Sequence, residues 1–368
     1  MANQIAVIGS GAVGSSTAWH LARNGHEIIL IDPRLNQPIN RIGILNGTIA
    51  SLGILMGNIY KRSSGRGWRL RQRSISLWKE WIKLLNSQEN PLSLSTPLIQ
   101  LASSQKEIAL MHKLSKDRKN LALDLLPPNT GINFSRPWPP NPYGGLISHN
   151  DGRIEPLQLQ KCLIHALDQN KVQKINESVL AIERKSTTKI RQWEIHLSNG
   201  KSYSPEIIVL CTAVGTDTLL KPLGHHLPIE PVLGQVLNLK LKDDGQSWAN
   251  WPAVLNSNKK NLIPNGNNHL ILGATLEPGT CPNAQALKEM QNLNWNAPNW
   301  LQTASVFTSW SGPRGRPKDV PAPILKKLEP GLIIATGHYR NGILLAPASA
   351  EWVEKEIRND KENLSISI

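Results

Sequence analysis

Residues 7–32 read VIGSGAVGSSTAWHLARNGHEIILID, and the fold turns on how that run is punctuated. Ile5–Ile8 is a short apolar strand. Ala12–Asn24 carries Val13, Thr17, Ala18, Leu21 and Ala22 at helical spacing, and Gly25 suits the position that stops such a helix. Ile28–Ile31 is a second apolar strand. Continuous apolar runs, without alternation, mark parallel strands covered on both faces, so the unit is βαβ. Its first turn is Gly9-Ser10-Gly11-Ala12-Val13-Gly14. Gly9 permits the tight exit from the strand, Gly11 lets a pyrophosphate approach the backbone, and Gly14 lets the helix pack on the strand. Free N–H groups and the helix dipole favour phosphate there. Asp32 ends the second strand, 18 residues past Gly14, where a carboxylate can accept from ribose hydroxyls. The pattern predicts a dinucleotide site, and the acid favours NADH or FAD over a 2′-phosphorylated ligand.

The rest of the chain bounds the reading. At 368 residues it suits two domains, and 40% hydrophobic with 18% charged residues is globular composition. A net charge of +14 favours anionic partners without choosing among them. Cys162, Cys211 and Cys281 form no Cys-x-x-Cys pattern, so they predict reduced core thiols and no metal site. There is no run long enough for a membrane span and no secretory start, which predicts a cytoplasmic protein.

Further along, Gly43–Gly57 reads as a glycine-rich loop, Trp68–Leu85 as a helix with Leu70, Ser74, Leu77, Trp78, Trp81, Leu84 and Leu85 on one stripe, and Ile108–Leu126 as another helix. Residues 137–145, PWPPNPYGG, read as a rigid connector. A helix over Glu155–Ala166 and strands over Val179–Arg184 and Trp193–Leu197 follow, with a hairpin turn at Asn199-Gly200. Residues 226–310 read as irregular, with strands at Val232–Leu241 and Leu270–Ala274. Two more buried strands end in glycine turns, at Cys211–Gly215 and Thr336–Gly342. Such returns could bring several backbone amides to one extended ligand, which favours FAD over NADH.

These residues resemble the FAD-dependent D-amino acid oxidase-type proteins, and among them the glycine oxidases associated with thiamine biosynthesis. The likeness runs in order through SGRGWRLRQRSISLW, GRIEPLQLQ, PVLGQVLNL, LILGATLEPGT, WSGPRGRPKDVPAPIL and TGHYRNGILLAPASA, over most of residues 1–355. It implies an α/β plus α+β fold: a Rossmann-like FAD-binding domain from residues 1–60, 145–225 and 308–368, and a substrate domain with a mainly antiparallel sheet from 61–144 and 226–307. It places Gly9, Gly11, Ala12, Val13 and Gly14 at the pyrophosphate and Asp32 and Pro33 at the adenosine ribose. Gly47, Thr48, Leu52, Gly53 and Ile54 match the loop passing the cofactor, and Val179 a backbone contact near adenine. His338, Tyr339, Arg340, Asn341, Gly342, Ile343 and Leu344 match the turn beside the flavin ring. Arg314 matches the arginine that binds the substrate carboxylate, and Arg340 a second position near substrate.

The implied reaction is oxidation of a small amino acid, with the α-hydrogen leaving as hydride and oxygen as final acceptor. It needs no acid–base pair from the protein, and none stands out. The resemblance also implies a homo-oligomer. Departures are local: NLIPN, residues 261–265, stands where glycine oxidases carry an aromatic hydroxyl before apolar-apolar-Pro-Arg, and Leu276 replaces a bulkier pocket residue. Two alternatives follow: a sarcosine or D-amino acid oxidase or dehydrogenase of the same fold, and a non-catalytic, RNA-associated FAD protein. The second is motivated by Lys61, Arg62, Arg66, Arg69, Arg71 and Arg73, although thin aromatic interleaving favours a solvated helix face and makes nucleic acid a poor partner. His225-His226 read as loop histidines, Asp243-Asp244 as a solvated turn, and most of the twelve tryptophans as core or interface anchors.

Overall fold

A computed structural model describes residues 4–42, 45–185, 192–242 and 247–366; the Asp243-Asp244 turn lies outside the described residues. The opening βαβ unit forms as its glycines require. Strand β1 (Gln4–Ile8) enters helix α1 (Ala12–Arg23), Gly25 takes a φ of 84°, and β2 (Glu27–Ile31) lies parallel to β1. β1 and β2 join β8 (Gln173–Ile175), β12 (Ile207–Leu210), β19 (Ile324–Glu329) and β20 (Leu332–Thr336) in a six-stranded sheet of order β19-β20-β12-β1-β2-β8. Only β19 runs antiparallel to its neighbour. The three strands followed by glycine turns are therefore neighbours or near neighbours, and their C-terminal ends open on one crevice beside β1, where the strand order reverses. Such a switch point is where open α/β sheets bind ligands.

One face of this sheet is covered by α1, α2 (Arg66–Leu85), α4 (Pro156–Gln169) and α8 (Gly342–Ile366), around Trp19, Trp78, Trp81, Leu163 and Val353. Burying each such large apolar side chain contributes roughly 1.5–3 kcal/mol. The other face packs on a small antiparallel sheet of β9 (Val179–Lys185), β10 (Gln192–Leu197) and β11 (Ser202–Tyr203), with α5 (Thr216–Leu220) alongside. The hairpin at Asn199-Gly200 forms, with Gly200 at φ 78°.

A nine-stranded sheet makes the second body. It runs β17 (Glu277–Pro278), β13 (Ile229–Lys240), β16 (His269–Gly273), β15 (Lys260–Pro264), β14 (Val254–Ser257), β4 (Leu98–Leu101), β6 (Gly145–Ser148), β5 (Leu123–Leu126), with β18 (Ser305–Pro317) also on β13. All pairs but β14–β4 are antiparallel. One face buries Val236, Ile263 and Ile271 against Leu45, Ile49 and Leu52 of the loop after β2. The far face meets α6 (Ala284–Gln291), α7 (Asn299–Gln302) and an edge-on cluster of Phe134, Trp138, Trp248, Trp251 and Trp300.

Several expectations are corrected. The helix expected through Leu126 is α3 (Gln105–Asp117); Ala122 turns at φ 54°, and β5 follows because β6 supplies its hydrogen bonds. The segment 226–310, expected as irregular with two strands, carries β13, β14, β15, β16, β17 and the start of β18, with α6 and α7 between them. Residues 311–317, in which Arg314 stands among glycines and prolines, lie in the 13-residue β18, an edge strand where proline is tolerated. The loop over 43–57 contains a two-residue strand, β3 (Ile54–Leu55), paired with β7 (Gly152–Arg153). Leu84 is exposed, and Cys281 is exposed rather than core. The basic run is not one solvated face. Arg71 is buried over the Tyr60 ring at 4.0 Å, and Arg73 pairs with Glu351.

Candidate active site

The phosphate turn is built by close approach. Gly9 sits at φ 104°, and a Cβ there would meet the Cys211 carbonyl oxygen at 2.7 Å. A Cβ on Gly14 would lie 1.7 Å from the Gly9 carbonyl oxygen. These two glycines let β1, β12 and α1 touch. Gly11 is different: a Cβ there would meet only the Thr48 hydroxyl, at 3.2 Å. Gly11 thus leaves room on the outer side of the turn. Ala12 N–H donates to Thr48 Oγ1 at 2.8 Å, and that hydroxyl keeps its own proton to donate. Val13 is half-buried on α1.

Asp32 stands at the end of β2, as the spacing predicts. Its carboxylate accepts from Ser10 N–H (2.8 Å) and Arg34 N–H (2.9 Å), which fixes it between the glycine turn and the groove. That groove is lined by Ser10, Arg34, Leu35, Asn46 and Gln160. Gln160 was not singled out from sequence. Its Nε2 donates to Ser10 O at 2.9 Å, while its buried Oε1 has no hydrogen-bond partner among the described residues. An orphaned acceptor beside a glycine cradle, a helix start and a fixed carboxylate suits a dinucleotide. Pro33 is exposed beside Asp32, and half-buried Val179 begins β9, packed against the cluster that contains Ile31.

The loop 45–54 continues from the phosphate turn toward the large sheet. A Cβ on Gly47 would approach the Pro313 carbonyl at 2.9 Å, and one on Gly53 (φ 72°) would fall 1.8 Å from Ile154 O. Leu52 O accepts from Arg153 Nε at 2.8 Å, and Ile54 pairs with Arg153 in β3–β7. Backbone thus lies against backbone along the whole path.

At the end of β20, His338 through Leu344 turn into α8. Tyr339, at φ 55°, donates its N–H to Gly315 O at 3.1 Å, which ties this turn to β18 beside Arg314. Asn341 Oδ1 accepts from buried Arg71 at 3.0 Å, and Ile343 and Leu344 carbonyls accept from Trp78 Nε1 at 3.1 and 3.2 Å. The basic helix therefore holds the turn in place. Gly342 opens α8. His338 is buried with Nε2 2.8 Å from Ser349 Oγ; burial, then the charge of Arg66, lower its pKa to about 3, so the imidazole is neutral.

Arg314 is half-buried on β18 opposite Val232. Its guanidinium lies across Gly234 of β13, where a Cβ would be 1.9 Å from Nη2, and Nη1 donates to Thr275 O at 3.3 Å. Burial, then the positive charge of Arg340, pull its pKa down to about 10. Arg340 is exposed on the turn. The structure brings Arg314, Tyr339 and Arg340 together as the sequence expects. It adds Lys260, whose Nζ donates to Ala274 O at 3.4 Å, and buried Glu277, which accepts from Gln235 Nε2 at 2.9 Å, from Asn283 N–H at 2.7 Å and from Thr275. Glu277 lies within LILGATLEPGT but was not singled out there, and only the NLIPN departure pointed to the strand of Lys260. Elsewhere, Glu183, Glu194 and His196 come within 4.8 Å of one another, but Lys185 already pairs with Glu194 at 3.0 Å.

A glycine cradle at a parallel-sheet switch point, with an arginine-bearing antiparallel sheet over the same crevice, defines a flavin-dependent oxidoreductase. The family model for DAO, FAD dependent oxidoreductase, matches residues 4–355, and the chain belongs to that family. It is a flavoprotein enzyme of the D-amino acid oxidase type. The chain is 33% identical to glycine oxidase of Pseudomonas putida over 148 residues, 39% of each protein. The aligned region thus spans about two fifths of that relative's length. Identity to glycine oxidase of Bacillus subtilis is 24%, over 97% of this chain and 93% of that one. The crystal structure of glycine oxidase from Geobacillus kaustophilus superposes with a TM-score of 0.80 at 20% identity, covering 97% of this chain and 95% of that one.

Proposed function

We propose that the protein oxidises glycine or a similarly small amino acid. The products are an imine that hydrolyses to the 2-oxo acid and ammonia, and hydrogen peroxide from oxygen. FAD, when bound, supplies the two-electron acceptor. Gly11, Thr48 and the start of α1 would hold its pyrophosphate, Asp32 its ribose, and the 338–344 turn its ring end. The protein's own task is to place the α-carbon. Arg314 binds the carboxylate bidentately and stays charged below pH 10. Gly234 fixes where that guanidinium lies, and the Tyr339–Gly315 bond fixes its height above the turn. Holding the reacting carbon against the acceptor is what this chemistry asks of a protein. We place the FAD-binding part at residues 1–60, 145–225 and 308–368, and the substrate part in the remainder.

The observation that carries the reading is the seat of Arg314 on Gly234 beside the 338–344 turn. The likeness to glycine oxidases supports a small amino acid substrate and a role in making the thiazole of thiamine. The test is anaerobic addition of glycine, sarcosine and D-alanine to the yellow holoprotein. Bleaching of the flavin, then recolouring in air with stoichiometric peroxide, supports the proposal. A flavin that no amine bleaches removes it.

A further inference from the structure

The substrate pocket holds more positive charge than a single carboxylate can use. Lys260 Nζ and Arg314 Nη1 donate to the carbonyls of consecutive residues, Ala274 and Thr275. The two cationic heads are thus neighbours on one loop. The charge of Arg340 disfavours the charged form of each. Two acids lie within reach of Lys260, Glu277 and Glu289. Glu277 spends its oxygens on Gln235, Thr275 and Asn283, and exposed Glu289 accepts from Gln285 at 3.2 Å. No ion pair to Lys260, Arg314 or Arg340 occurs among the described residues. One carboxylate in the fork of Arg314 would leave the half-buried Lys260 ammonium with only a carbonyl. An ammonium removed from water and weakly partnered is costly, and a second anion relieves it.

We propose that the substrate is an amine carrying two carboxylates, the first held by Arg314 and the second by Lys260 with Arg340. This rests on the amine-oxidising reading above and narrows its substrate class to amino- or imino-dicarboxylates. Glycine, with one carboxylate, would be oxidised less efficiently than these.

The experiment uses holoenzyme. Aminomalonate, iminodiacetate and D-aspartate are compared with glycine, sarcosine and D-alanine for anaerobic flavin bleaching. Malonate and succinate are compared with acetate for perturbation of the flavin spectrum. At least one dicarboxylic amine should exceed the best monocarboxylic one in kcat/KM, and malonate or succinate should bind tighter than acetate, by about ten- to a hundredfold, as one added charge-assisted contact gives. Lys260→Met should lose that ratio, and Lys260→Arg should keep it. Equal response to the two classes, or a Lys260→Met variant that weakens both classes alike, overturns the proposal. If no amine of either class bleaches the flavin, the oxidase reading falls, while the malonate-against-acetate comparison still decides whether Lys260 makes a second anion site.

Discussion

Two glycines one helical turn apart do different work, and the difference is measurable. Gly14 has the Gly9 carbonyl where its Cβ would be, so Gly14→Ala must push α1 off β1. Overpacking of that kind costs about 1–3 kcal/mol or more, and the apoprotein should melt several degrees lower and fail to retain FAD. Gly11 has only a hydroxyl nearby and an ordinary φ of −66°. Gly11→Ala should leave the apoprotein Tm within about a degree, yet weaken FAD about tenfold or more by crowding the pyrophosphate. Thermal melts of apoprotein beside flavin fluorescence titrations check both. Arg314 gives a prediction in pH. Burial and Arg340 lower its pKa from the usual 12.5 to about 10. Acetate should therefore bind holoprotein with constant affinity up to about pH 9 and lose affinity as pH rises through 10. Replacement by lysine should weaken acetate about tenfold at neutral pH, since an ammonium lacks the bidentate fork.

At the scale of elements, β18 and β13 build the substrate side, and their pairing shows where sequence reading stops. The βαβ unit was legible because everything that makes it lies within 28 residues and each glycine has a local reason. β18 was not, because SGPRGRP reads as turns until its partner is known. Gly312 is there for the Ala50 Cβ, which a Cβ would meet at 2.4 Å, and Gly315 for Ile229 at 2.9 Å. Those are tertiary reasons, invisible in a window of residues. Arg71 was misread likewise: six cations within thirteen residues look solvated, and only the fold shows one of them reaching Asn341. The residues Arg314 and Arg340 came from resemblance, whereas Lys260 had no pattern to announce it. Gly234 is the simplest probe of this assembly. Gly234→Ala puts a methyl 1.9 Å from the Arg314 guanidinium while leaving the phosphate turn untouched. FAD content should be normal, and the KM for the amine should rise at least tenfold with a smaller change in kcat. Steady-state kinetics with acetate binding as a second readout separates displacement of Arg314 from loss of fold.

At the scale of the molecule, stability should carry the signature of one buried imidazole where the two bodies meet. His338 closes β20, faces Ser349 of α8, and leads into the turn bonded to β18. Burial and Arg66 lower its pKa from 6.5 to about 3. The unfolded chain therefore binds a proton at this site between pH 6.5 and 3 that the native protein does not. Linkage then makes stability rise with pH across that window, by at most about 1.4 kcal/mol per pH unit, and be lost as pH falls toward 3. Glu329, held at about 2 with Arg184 first among the causes, adds loss of the same sign at lower pH. Asp151, whose carboxyl burial raises, acts in the opposite sense. Both stay in place in a His338→Gln variant, so the difference between its pH–stability curve and that of the unmodified protein isolates the imidazole. That difference should be flat above pH 7, slope between pH 6.5 and about 3, and favour the variant increasingly on the acid side. Urea midpoints measured at half-unit pH steps on apoprotein read it directly. Parallel curves would mean that His338 is solvated and ionises freely, and that the turn beside the flavin site is looser than its hydrogen bonds to α8 and β18 imply.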